Sequence, residues 1–259
     1  MALTEFDESA AIERFWQARC AGDYFPAEWA SRLTLDQAYS IQLGVIGRRI
    51  ALGEKQVGWK VGLTAAAIQR QFGFHQPVFG CLMAEGLKRS GLKFAPDTLI
   101  KPGFETELCM QLGEPLCGKI DATRARRAIE FCFPALEIIE TRGDALAQMI
   151  LAVADNAQQK AFVLGDPIVL NDSLDLSKVE ARVVVNGAEV ARGFGEAVLG
   201  DPVNSIVWLA GKLAELGRGL AAGDLIMTGS FVRQFPLAPG DRVRADFSGI
   251  GAVEAGMAG

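Results

Sequence analysis

Along the first fifty residues the apolar positions recur at helical spacing. Leu35, Ala38, Ile41, Val45 and Ile46 fall on one face behind Thr34 and Gln37, a pair with the form of a capping box. Residues 1–54 therefore read as a helical segment. From about residue 55 the period shortens. QVGWKVGL (56–63), FETELCMQL (104–112), PALEIIE (134–140), VEARVVV (179–185) and DLIMTGS (224–230) are short β-like runs punctuated by glycine. Asn186-Gly187 has the composition of a tight hairpin turn. Asp201-Pro202 opens a helix that should end near Gly217. Strands outnumber helices after residue 55 and do not alternate with them regularly. The expectation is a mixed α+β body, with a β-rich domain over 55–259 continuous with the helical segment over 1–54. Neither GxGxxG nor GxxxxGK[ST] occurs, so no nucleotide cradle is visible.

Composition narrows the class. The 259 residues are 50% hydrophobic and 22% charged, enough apolar matter for a sizeable core. Lys and Arg number 26 against 31 Asp and Glu, a net charge of −5, which argues against a nucleic-acid surface. The basic cluster Arg124, Arg126 and Arg127 reads as a solvated helix face. No run of 18 apolar residues suggests a membrane span, and the amino terminus lacks a signal-peptide pattern. The five cysteines are odd in number and show no CxxC spacing. Reduced thiols in a cytoplasmic protein are expected.

The segment KPGFETELCMQL (101–112) is the most informative. On a strand, Glu105, Glu107, Cys109 and Gln111 share one face and Phe104, Thr106, Leu108 and Met110 the other. Glu105 and Glu107 would lie ~7 Å apart at their Cα atoms. Two such carboxylates belong either to a solvent-facing strand or to a divalent cation held by oxygen ligands. In FPALEIIETR, Glu137 is a lone acid in an apolar run and a third candidate ligand. Glu140, next to Arg142, reads as part of a surface pair. Lys60, flanked by Trp59 and Val61, is either a lysine that reaches solvent from the core edge or an acid–base group. Asp155 and Asn156 end a helix-like stretch and could cap it or act. The single histidine, His75, lies in a loop without partner ligands. Arg233 reads as a surface arginine or an anchor for a distal carboxylate.

Eight segments together resemble the 2-keto-4-pentenoate hydratase family, which includes the oxalocrotonate-type decarboxylases, within the fumarylacetoacetate-hydrolase-like superfamily. They are VGWKVGLT (57–64), QRQFGFHQPVFGCL (69–82), the ExE strand (105–107), PALEIIETR (134–142), ADNA (154–157), VLGDPVNSIVWLAGKL (198–213), GDLIMTGS (223–230) and GDRVRADFSGIGAVE (240–254). The resemblance implies a mixed β-rich fumarylacetoacetate-hydrolase-like fold and a homo-oligomer. It implies Mg²⁺ or Mn²⁺ on Glu105, Glu107 and Glu137, with a small 2-oxo or 2-hydroxy-dienoic acid as substrate. Lys60 would sit by the substrate carboxylate or move protons. Thr228, Gly229 and Ser230 would lie near the substrate, and Asp155 is a second proton-transfer candidate.

The resemblance leaves the reaction divided. Pentenoate hydratases carry Asp in PDFG where this chain has Val78, as the decarboxylase branch tends to, in the lid segment. TGSF (228–231) looks like the hydratase side. The first expectation is water addition to a 2-hydroxy-dienoate, as in aromatic meta-cleavage catabolism. The alternative is decarboxylation of a 2-oxo-enedioate. A non-catalytic, carboxylate-binding oligomer is the alternative of another class.

Overall fold

A computed structural model of the chain describes residues 6–171 and 173–259; the first five residues of the helical segment lie outside the described residues. Helix α1 (Glu8–Ala21) starts under the Asp7 side chain, which accepts from Ala10 N, and stops at Gly22 in the left-handed region. Helix α2 (Leu35–Ala51) carries both bonds of the Thr34–Gln37 capping box. The two helices pack on each other. Strand β1 (Gln56–Gly62), a short α3 (Ala66–Gln71), β2 (Val78–Met83), β3 (Leu87–Arg89), β4 (Leu92–Phe94) and β5 (Pro102–Leu112) follow. After α4 (Ala122–Ala128) come β6 (Ile129–Glu140), α5 (Met149–Ala154), β7 (Gln159–Leu164) and the hairpin of β8 (Glu180–Val185) and β9 (Ala188–Phe194). Its turn residues Asn186 and Gly187 both have positive φ, 52° and 85°, as a type I′ turn requires. Helix α6 (Val203–Glu215) precedes β10 (Leu225–Ser230), β11 (Phe235–Pro236), β12 (Arg242–Phe247) and β13 (Gly251–Met257). The Arg124, Arg126 and Arg127 cluster lies on α4, as its spacing predicts.

The strands form two sheets. The larger has eight strands in the order β2-β1-β10-β5-β6-β7-β3, with β11 also pairing with β5. The smaller runs β4-β13-β12-β8-β9. In the smaller sheet one face buries Ala181, Val183, Val243, Ala245 and Val253, while Arg182, Arg244, Asp246 and Glu254 form an ion-pair mesh on the other. That is the alternation expected of an antiparallel sheet wet on one side.

The larger sheet is strongly curled. Lys60 on β1 and Glu137 on β6 are separated by β10 and β5, three strand spacings or ~14 Å on a flat sheet. Their side chains nevertheless meet, so the sheet wraps around a common interior. Asn156, just before β7, closes the ring. Its Oδ1 accepts from Cys81 N at 2.7 Å and its Nδ2 donates to Cys81 O at 2.9 Å, pairing with the open edge of β2 as a neighbouring strand would. Leu82, Cys109, Ala135, Phe162, Leu225 and Met227 pack together inside the curl. The main core lies outside it, where Tyr39 of α2 stacks on Phe79 of β2 at 4.1 Å and α2 lies against α5. Among the described residues no helix is long and apolar enough to cross a membrane.

Candidate active site

The long β5–β6 ladder brings the carboxylates together. Glu105 pairs in register with Glu137, and Glu107 with Ala135, so all three acids project from one face into the curl. One carboxylate oxygen from each lies within 4.8 Å of the others. Glu107 and Glu137 are 1% exposed, while Glu105 is partly open to solvent. Lys60 Nζ lies 2.9 Å from Glu137 Oε1. This ion pair is the Glu137 Oε1 atom's one polar contact among the described residues.

Electrostatics set these groups against one another. Burial, and then the charges of Glu137 and Glu105, push the Glu107 carboxyl well above the usual range. Burial raises Glu105 and pushes Glu137 up to about 7 despite Lys60 beside it. Burial by itself would lower Lys60, but Glu137, Glu105 and Glu107 outweigh it and hold the ammonium charged. Three carboxylates face one ammonium, so ionisation leaves two negative charges uncompensated. An all-carboxylate donor set carrying more negative charge than Lys60 compensates fits a hard divalent cation.

Glycines make room for this cluster. Gly80 faces Lys60 across β1 and β2, and a Cβ there would lie 3.3 Å from the Lys60 stem and 3.0 Å from Asn156 O. In β10 the register breaks between Met227 and Ser230, and within that break Gly229 (φ 112°) donates its N–H to Glu107 Oε2 at 2.8 Å. The neighbouring hydroxyls bond to the backbone. Thr228 Oγ1 donates to Leu108 O at 2.9 Å, and Ser230 Oγ accepts from Thr106 N at 3.1 Å. Of the TGS turn, only the Gly229 amide bonds to an acid of the cluster.

Asp155 is engaged elsewhere. Its carboxylate receives Arg142 Nε at 2.5 Å, and burial raises its pKa against the pull of that guanidinium. Glu140 joins the same pair, receiving Arg142 Nη1 at 3.0 Å. The expected surface pair of Glu140 and Arg142 is thus corrected in one respect. The pair forms, but both side chains are 2% exposed, because Tyr24 stacks on the guanidinium and Ile100 N donates to Glu140.

Val78 begins β2 rather than lying in a lid loop. It pairs with Gly62, placing it on the Lys60 face, and it is 2% exposed. His75 is exposed in the loop before it. Arg233 lies over the Phe235 ring at 4.1 Å. Sequence reasoning missed the pairing role of Asn156 and the space left by Gly80. The ADNA segment and the glycine of PVFG were the available signals.

Comparison with known proteins shows the family of the chain. The model described as "Fumarylacetoacetate (FAA) hydrolase C-terminal" matches residues 93–258. The chain is 33% identical over 260 residues to a 2-keto-4-pentenoate hydratase of Paraburkholderia xenovorans (strain LB400), covering 97% of this chain and 95% of the relative. It is 33% identical over 257 residues to a 4-oxalocrotonate decarboxylase of Pseudomonas sp. (strain CF600), covering 98% and 95%. The structure of 4-oxalocrotonate decarboxylase from Pseudomonas putida G7, complexed with magnesium and adipate, superposes with a TM-score of 0.90 at 32% identity over 96% of this chain and 97% of that one. This chain belongs to the fumarylacetoacetate hydrolase family, among relatives named as 2-keto-4-pentenoate hydratases and 4-oxalocrotonate decarboxylases.

Proposed function

We propose that the protein is a lyase dependent on Mg²⁺ or Mn²⁺ that acts on a small 2-hydroxy-dienoic or 2-oxo-enoic acid, with water addition as its first reaction. The convergence of Glu105, Glu107 and Glu137 beside Lys60 carries this reading. Those three glutamates would hold the cation. When bound, it supplies Lewis acidity to the substrate's 2-oxo and carboxylate oxygens. Gly229 N orients Glu107. Lys60, charged and close to the acids, offers a positive anchor for the substrate carboxylate and a proton at Nζ. Asp155 is the other proton-transfer candidate and would first have to leave Arg142. The apolar packing of Met227, Cys109 and Phe162 excludes water from the deeper curl.

A second reading, decarboxylation of a 2-oxo-enedioate, is favoured by Val78. It gives the Lys60 face an apolar wall where water activation calls for a polar group. The TGSF segment supports hydration less directly. Ser230 bonds to the β5 backbone and Phe231 packs edge-on against Phe247. The deciding experiment incubates the protein and Mg²⁺ with 2-hydroxypenta-2,4-dienoate and, separately, with 2-oxohex-3-enedioate, and identifies products by mass. Hydration of the first supports the first reading, and CO₂ release from the second alone establishes the other. In a hydratase, Val78→Asp retains or increases hydration. A non-catalytic carboxylate-binding protein would be stabilised by Mg²⁺ and oxalate yet turn over neither compound.

We further propose a homo-oligomer acting in the cytoplasm. The exposed apolar residues Val190 and Phe194 on edge strand β9 support the first, and the buried, unpaired thiols Cys81, Cys109 and Cys132 the second.

A further inference from the structure

A second cavity, of ≈ 310 Å³, lies on the outer side of the large sheet beneath α1 and α2. Met83, Phe94, Gln159 and Ala161 form its floor, while Glu85, Thr98 and Lys160 are exposed at its rim. It is separate from the carboxylate cluster. Met83 and Ala161 belong to the outer core, whereas their neighbours Leu82 and Phe162 pack inside the curl.

The cavity gathers positive charge. Arg19, Arg49, Lys88, Arg142 and Lys160 line it against only Glu85 and Glu140. Arg142 is matched by Glu140 and Asp155, and Arg49 by Glu54. Lys88 Nζ donates to the Glu85 carbonyl at 2.6 Å. Arg19, half-buried, forms no ion pair and donates no side-chain hydrogen bond among the described residues. Gln159 is 6% exposed, and its Nε2 has no partner. That amide faces the Gly86 wall of the cavity, 3.7 Å from where a Cβ would stand.

Two groups of the lining that lack partners, the Arg19 guanidinium and the Gln159 amide N–H, are donors, and the unpaired Glu85 carboxylate is exposed at the rim; two such donors on one cavity suit a carboxylate. An inorganic anion would leave the apolar lining of Met83, Phe94 and Leu99 uncovered, and the volume falls in the range of small-molecule sites. We propose that this cavity binds a small organic carboxylate, its head group on Arg19 and Gln159 Nε2 and its hydrocarbon on Met83, Phe94 and Leu99. Such a ligand would compensate Arg19 and cover the apolar floor at once.

Calorimetric titration of the full chain with hexanoate tests this, with Mg²⁺ and saturating oxalate present to occupy the carboxylate cluster. The expected result is one hexanoate per subunit, with acetate bound at least about tenfold more weakly. Arg19→Leu should weaken hexanoate by at least about tenfold while keeping its far-UV circular dichroism and its turnover without hexanoate. Glu107→Gln should bind hexanoate as the wild type does, which separates this cavity from the cation site. Absence of binding, equal affinity for acetate, or an Arg19→Leu protein that binds as tightly as wild type would each overturn the proposal.

Discussion

Three carboxylates and one ammonium share the interior of the curled sheet, and the repulsion among the carboxylates makes the clearest predictions. Replacing Glu107 with Gln keeps an acceptor for Gly229 N but removes one negative charge from the cluster. Cation affinity should fall by more than about tenfold and activity collapse, while the fold survives. Metal titration and circular dichroism on one sample check both. The pH dependence of metal-free stability has a definite sign. The Glu137 carboxyl is held at about 7 against a usual value of 4.5, and Glu105 and Glu107 also move upward. The folded state therefore keeps protons that the unfolded chain has lost. The associated stability is complete below pH 4.5 and disappears as pH rises through about 7. Without metal the melting temperature should fall between pH 5 and pH 8, less steeply in Glu137→Gln. Mg²⁺ should raise it more at pH 8 than at pH 6, since ligands must deprotonate to bind. An equal or smaller Mg²⁺ effect at pH 8 would contradict this account. Lys60→Ala removes the ammonium facing the cluster and should cost more than tenfold in kcat, ~1.4 kcal/mol or more of barrier. An unchanged rate would reduce Lys60 to a counter-ion of Glu137.

At the scale of elements, a single side chain bridges the ends of the ring. Asn156, Ala157 and Gln158 all adopt left-handed backbone, with φ of 57°, 48° and 59°. This turn carries the Asn156 amide to the free edge of β2, where it forms two hydrogen bonds with Cys81. Asn156→Ala removes both bonds and leaves a buried N–H unpaired, at ~1–3 kcal/mol, with left-handed strain of ~1 kcal/mol added. Asn156→Gly removes the bonds without that strain. Urea unfolding should order the stabilities as wild type, then Gly, then Ala, with a loss in both variants. Wild-type stability in Asn156→Gly would show that the ring does not need this closure. Arg142 is held between Glu140 and Asp155, the residue after α5, linking the end of β6 to the start of the Asn156 turn.

For the whole molecule, assembly is the open prediction. The edge strand β9 exposes Val190 (41%) and Phe194 (46%), and Trp208 on α6 is only partly covered. Light scattering at micromolar concentration should give a multiple of the 27.7 kDa chain mass, and the mass of one chain would refute it. Much of the architecture was legible beforehand, because strand alternation and helix caps are local. Thr34 with Gln37 began α2, Asn186-Gly187 turned the β8–β9 hairpin, and a period of two put Glu105 and Glu107 on one face. Glu137 stood out as an acid in an apolar run for the same local reason. What no local pattern contains is the curl of the large sheet. Only the curl carries Lys60 past two intervening strands to Glu137, while the pairing of β1 with β2 puts Val78 on the Lys60 face. The engagement of Asp155 with Arg142, the burial of Glu140 and the bonding of Ser230 to Thr106 are likewise contacts between residues distant in space or hidden by packing. The sequence by itself determined which residues are able to act as ligands, through side-chain chemistry and period. The tertiary structure decided which of them meet, because that follows from how far the sheet bends before Asn156 closes it.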